Sequence, residues 1–181
     1  MCATEWIVMA ITITPTEQGA FTVLRGFLLT YLPLGMEVIQ GQVNRVPTPT
    51  DSYVTITPLR LKRLATNETH YNIDLQRTEV NSLEWAIQAD IYGNAACDNA
   101  VIIATLFRSD IAYDNFISSG LQIVPLYAED LRQMRFITGE TQYENRWSID
   151  LLMQIKPSVT IVQQSALHVN LGLIEVDTTY Q

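Results

Sequence analysis

"SLEWAIQADIYGNAACDNAVIIATLFRSD", residues Ser82–Asp110, holds both periodicities from which this fold is built. Leu83, Trp85, Ile87, Ala89 and Ile91 alternate with Ser82, Glu84, Gln88 and Asp90, the period-2 pattern of a strand with one apolar face. At Gly93-Asn94 the period changes. Ala96, Ala100, Ile103 and Phe107 share one helical face, widened by Cys97, Val101 and Ala104, with Asp98, Thr105 and Ser109 opposite. The stretch predicts strand, turn and a helix over about residues 94–109, with Asn94 as N-cap and Asp98 favouring the helix dipole.

Strand, glycine and helix in that order are also the outline of a nucleotide loop. A phosphate-binding loop needs a second glycine, and a lysine followed by a hydroxyl residue. After Gly93 this chain has Asn-Ala-Ala-Cys-Asp-Asn, and Asp98 would repel a phosphate at the helix start. Gly93 and Asn94 are therefore read as a structural turn and cap.

Working outward, Thr14-Pro15-Thr16-Glu17 fits a capping box with Thr14 as N-cap and Glu17 reaching back. The helix it starts spans about residues 14–31, with Ala20, Leu24, Phe27, Leu28 and Tyr31 on one face. Met36–Val43 reads as a strand and the Pro-rich stretch at 44–52 as a loop. Tyr53–Lys62 is strand-like. Tyr71, Ile73 and Leu75 alternate with polar neighbours, so that this run and Leu83–Ile91 suggest a long antiparallel hairpin with Gln76, Arg77, Thr78 and Glu79 at its tip. A second short helix is expected over Asp110–Ser118, ended by Gly120. Leu121–Tyr127, the alternating run from Trp147 to Ile155, Val159–Val162 and Leu167–Val176 read as strands. The apolar run from Trp6 to Ile13, within residues 1–13, is an N-terminal arm or strand, too short to span a bilayer. The fold class is α+β: a single compact domain over residues 1–181, an antiparallel-rich sheet with a long hairpin flanked by two main helices.

Composition narrows the function. The chain has 181 residues and a net charge of −8, with 48% hydrophobic and only 17% charged residues, against about 25% charged in typical soluble proteins. Low charge is a mild argument for an oligomer. The negative charge is spread along the chain, without the cation cluster that gripping nucleic acid requires. Nine Arg against two Lys suits protein interfaces. Two cysteines, Cys2 and Cys97, without CxxC spacing suit a reducing compartment. His70 and His168 are isolated, and no clustered Cys and His give metal-ligand spacing. Asp110 with Asp114, and Glu140 with Glu144, are read as solvated surface. Trp85 and Trp147 are core candidates; Trp6 is core or an interface anchor. No catalytic, cofactor or metal residue emerges. Arg60, Lys62 and Arg63 form the densest cationic cluster. They are either gatekeepers on a strand edge or a contact for an acidic partner, and they join Gln76–Glu79 as candidate interface residues.

Two stretches, "YGNAACDNAVIIATLFRSDIAYDNF" (Tyr92–Phe116) and "PLYAEDLRQMRFITGETQYENRW" (Pro125–Trp147), resemble the neck or tail terminator proteins of tailed bacteriophages. The resemblance implies a ring-forming structural protein of the virion, not an enzyme, without cofactor. It implies a hexameric homo-oligomer at the neck or top of the tail, assembled in the bacterial cytoplasm, that caps the tail tube and joins it to the neck or connector proteins. The sheath is a further partner. DNA passes through the channel without specific binding, and no membrane is involved. A head–tail connector or stopper, or a minor tail-tube protein, is the alternative, and a small hydrolase or nucleotide-binding enzyme a more distant one.

Overall fold

The computed structural model describes residues 11–42, 47, 49, 51–72, 76–137 and 143–162. The expected strand over 167–176, Trp6, His168, Cys2, Glu140, Ile73 and Leu75 lie outside the described residues.

Helix α1 (Glu17–Tyr31) buries Ala20, Phe21, Leu24, Phe27 and Leu28, the face expected from its spacing with Phe21 added and Tyr31 only half-buried at its end. Its N-cap is Thr16, whose hydroxyl accepts from Gly19 N at 3.1 Å. This corrects the assignment of Thr14 as cap and Glu17 as third helical residue. Thr14 is committed to strand β1 (Thr12–Thr14), where its carbonyl accepts from Ser158 Oγ, so the helix starts two residues later and Glu17 is its first residue. Leu32 ends α1 with extended torsions, φ −86° and ψ 157°, as the following Pro33 requires. Thr16→Ala should lower stability by about 1 kcal/mol, the usual cost of a lost cap. Thr14→Ala should cost clearly less. Urea midpoints of the two variants give the comparison.

Helices α2 (Ala96–Phe107) and α3 (Asp110–Ile117) follow the turn. The N-cap of α2 is Ala95, which makes no side-chain cap bond; Asn94 is one residue too early, inside the turn that Gly93 starts. Gly93 has φ +113°, and a Cβ there would meet Ser52 Oγ at 2.1 Å, so both torsion and space demand glycine. The inward stripe of α2 is Ala96, Asn99, Ala100, Ile103 and Phe107. Val101, expected inside, is exposed, and Cys97 is half-buried. The stripe widens on the Asn99 side instead, where Asn99 Nδ2 donates to Met36 Sδ at 3.8 Å.

The main sheet has six strands. The order is β2 (Glu37–Gln40), β3 (Tyr53–Arg63), β6 (Leu83–Tyr92), β9 (Tyr143–Ile155), then β7 (Ile123–Ala128) and β8 (Arg132–Ile137), which pair with successive lengths of β9. β2 is parallel to β3; the other pairs are antiparallel. A second sheet of four strands has the order β1, β10 (Ser158–Val162), β5 (Gln76–Val80), β4 (Glu68–Tyr71). The architecture is α+β with three helices and mixed sheets, and neither sheet closes into a barrel among the described residues.

The expected hairpin with its tip at Gln76–Glu79 is replaced by a longer ribbon. Gln76–Glu79 belong to β5, a strand between β4 and β10, and Asn72 N donates to Gln76 O. β5 and β6 do not pair with each other. They run on as one strand opposite β9 and β10. Leu83 faces Ile155, Val80 faces Ser158, and Asn81 N donates to Pro157 O between them, with no change of register.

The core lies between the helices and one face of the main sheet, where Trp85, Ile87, Ala89 and Ile91 of β6 meet Ile149, Leu151 and Met153 of β9. Phe27, Phe107 and Phe116, one from each helix, pack edge to face with centroids 5.7–5.9 Å apart, the arrangement favoured by the ring quadrupoles.

Candidate assembly surface

The four-stranded sheet is an arm that extends the main sheet beyond its helical cover. Not one residue of its strands is buried: β1 and β4 are exposed throughout, β5 is half-buried, and β10 is half-buried to exposed. No helix makes extensive contact with it among the described residues. The five residues of β5 correspond to a projection of about 17 Å at the usual strand rise.

Because the register is unbroken, the two faces of the arm can be traced from the body. The helix-covered face continues through Glu79 and Arg77 of β5 and through Val159 and Ile161 of β10, flanked by Thr69 and Tyr71 of β4 and Ile13 of β1. On it Arg77 Nε donates to Glu79 Oε1 at 2.6 Å, Thr69 Oγ1 donates to the same oxygen at 2.9 Å, and the Arg77 guanidinium lies 5.9 Å from the Tyr71 ring centroid. The bond from Thr69, with that from Arg77, holds the Glu79 carboxyl below its ordinary range. The bond to Glu79 and its charge raise the Arg77 guanidinium. The opposite face is rich in hydroxyls, with Thr78 and Thr160 Oγ1 atoms 3.0 Å apart.

The cationic cluster sits at the base of this arm. β2 pairs only with Tyr53–Ile56 of β3, so the far half of β3, from a bulge between Pro58 and Arg60, has β6 on one side and no partner on the other among the described residues. Arg60 pairs with Glu84 at 3.2 Å. Lys62 and Arg63 are exposed and form no ion pair among the described residues. The structure thus brings the two candidate interface groups to one end of the molecule, Arg60, Lys62 and Arg63 at the arm's base and Gln76–Glu79 within it. Between them an apolar groove of about 330 Å³ opens where α1 begins, lined by Ile13, Ala20, Leu59, Leu61, Trp85 and Ile155.

A second polar group lies on the sheet face away from the helices. Asp90, 4% exposed, accepts from Arg146 at 2.8 Å and from Gln88 Nε2 at 2.9 and 3.0 Å. Arg146 lies 5.7 Å from the Tyr92 ring centroid, and Tyr92 stacks on Tyr53 at 4.4 Å. Burial alone would lower the Arg146 pKa, but the hydrogen bond and charge of Asp90 carry it above the ordinary value. Arg132 pairs with Asp150 at 2.7 Å, and that bond raises its pKa too. These groups are matched acid to base in the sheet. Sequence alternation put Gln88 and Asp90 on the polar side of their strand, and carried no sign of the partners they meet on β9.

Other candidates stay apart. Cys97 is on α2 and His70 on the arm, where its Nε2 lies 3.8 Å from Glu68. Asp110 and Asp114 are exposed on α3, and Glu144 lies on strand β9. Among the described residues no three His, Cys, Asp or Glu side chains are grouped to hold a metal ion, and no helix is long and apolar enough to cross a membrane.

The family model for phage neck terminator proteins matches residues 19–180. The chain belongs to this family. A neck terminator is a structural phage protein, which implies a component of the virion tail and no catalytic role. No curated protein matches the sequence. Among solved structures, the terminator fold here is similar to a chain of the extracellular contractile injection system described as "PVC sheath/tube terminator in extended state", with a TM-score of 0.50 at 8% identity. The match covers 92% of this chain and 66% of that one, so this neck terminator spans just under two thirds of that protein's length. At that identity the likeness is one of fold.

Proposed function

We propose that this chain is the tail terminator of its phage, acting as a single unit that closes into a hexameric ring on the tail tube and joins it to the neck. One observation carries the reading: an arm with no buried residue on either face. Among the described residues such a sheet has no layer on either face and no strand beyond β1 or β4, and a neighbouring copy supplies the missing cover. Arg60, Lys62, Arg63 and Gln76–Glu79 lie on or at the base of that arm and form part of the interface. DNA passes through the ring. A net charge of −8 without a cationic stripe suits a duct that must release phosphates. Tail-tube, neck and sheath proteins are the other contacts.

Phage lacking this gene should yield tailless heads together with free tails of irregular length. Electron microscopy of particles carrying a labelled copy should show six-fold density where tail meets head. Normal tail lengths without the protein would refute the reading. Label on heads that have never met a tail would favour a head-side stopper instead.

A further inference from the structure

We propose that the arm of each copy docks on the outer face of α2 and α3 of the next copy, so that two different surfaces of one chain meet around the ring. This rests on the ring reading above and names the surfaces that make the contact.

On the arm side, Val159, Ile161, Tyr71 and Ile13 continue the sheet face that helices cover in the body. That layer of helices stops at the first turn of α1, beside the groove, while the sheet goes on. The Arg77–Glu79 pair and Thr69 stand between these apolar side chains on the same face, so the surface is apolar at its flanks with a paired charge inside, and helices from a neighbour would extend over it the layer already present.

On the helix side, α2 and α3 present a second apolar surface. Val101, Ile102, Ile111, Tyr113 and Ile117 are 41–49% exposed, whereas large apolar side chains on a surface helix normally face inward. The helices thus carry apolar groups both toward the core and away from it.

Charge selects the pairing. Asp98, Asp110 and Asp114 stand among these outer apolar groups, and none has an ion-pair partner among the described residues. Arg63 lies on the helix-facing side of β3, opposite Leu83, exposed and likewise without such a partner. Docking arm on helices sets this cation against those carboxylates. Docking arm on arm would set Arg63 near its own copy, and would close a two-fold dimer. A contact between unlike surfaces propagates head to tail, and closes into a ring when the rotation between copies allows it.

The test uses full-length chains with Cys2→Ser and Cys97→Ser, adding Ile161→Cys on the arm, Ile117→Cys on α3, or both. Each variant complements the missing gene, and purified particles are treated with a short bismaleimide. Both added residues replace exposed side chains, so the core is untouched. The double variant should give a ladder of covalent multimers, and each single variant should give none. Multimers from Ile161→Cys alone would mean arm on arm and overturn the proposal. A cross-link from the arm to another virion protein would also overturn it. A ring visible at the neck without the ladder would remove this contact and leave the ring reading standing. Particles with no ring at the neck would remove both.

Discussion

Phe107→Ala should destabilise the protein by about 3–5 kcal/mol, the range for deleting a fully buried phenylalanine. The side chain is 1% exposed and contacts one ring on each of the other two helices. Its removal loses the transfer energy of the ring and opens a cavity at the point where three helices meet. It also loses two edge-to-face pairs, each worth about 0.5–1.5 kcal/mol beyond burial. Total stability of about 5–15 kcal/mol is usual for a domain, so a large part of it is at stake. Val101→Ala, on the outer side of the same helix, is the control and should change monomer stability by less than about 0.5 kcal/mol. Urea denaturation followed by far-UV circular dichroism measures both. A loss below 1 kcal/mol for Phe107→Ala would mean that the junction does not depend on this ring.

Asp90→Ala should cost about 3 kcal/mol. Truncating one partner of a buried ion pair typically costs about 3–5 kcal/mol, because the remaining charge is stranded. Arg146 keeps 22% of its side chain exposed and can turn partly toward water, which places the effect at the low end. Gln88 loses its acceptor as well. The double change Asp90→Leu with Arg146→Met should cost less than the sum of the two single changes, since no charge is then stranded. A double-mutant cycle in urea reads the coupling directly. Additive effects would show that the pair is held by surrounding packing instead of by its charges.

How much of this was legible depends on the distance over which each feature is decided. The inward face of α1 and the alternation along β6 and β9 were readable because local period alone determines which side chains share a face. The start of α1 was misplaced by two residues because Thr14 and Thr16 both suit a cap locally. The choice between them was made by Ser158, far along the chain. The hairpin was misdrawn for the same reason. Period 2 says which way a side chain points but not which strand lies beside it, and Thr78 finds Thr160 across 82 positions. Asp90 falls on the polar side of its strand's alternation, and polarity alone gave no sign of its burial against Arg146. The candidate interface residues were chosen for charge and for a supposed tip. They fall on the arm and its base, with Gln76–Glu79 inside a strand and not at a tip.

The unbroken register through Asn81 and Pro157 has a mechanical consequence. The arm and the body share one ladder, bridged between β5/β10 and β6/β9 by the bond from Asn81 N to Pro157 O, so a load on the arm is led along paired strands to β6 and β9. In the ring proposed above, displacement of a neighbouring subunit would therefore reach the centre of the molecule along this ribbon.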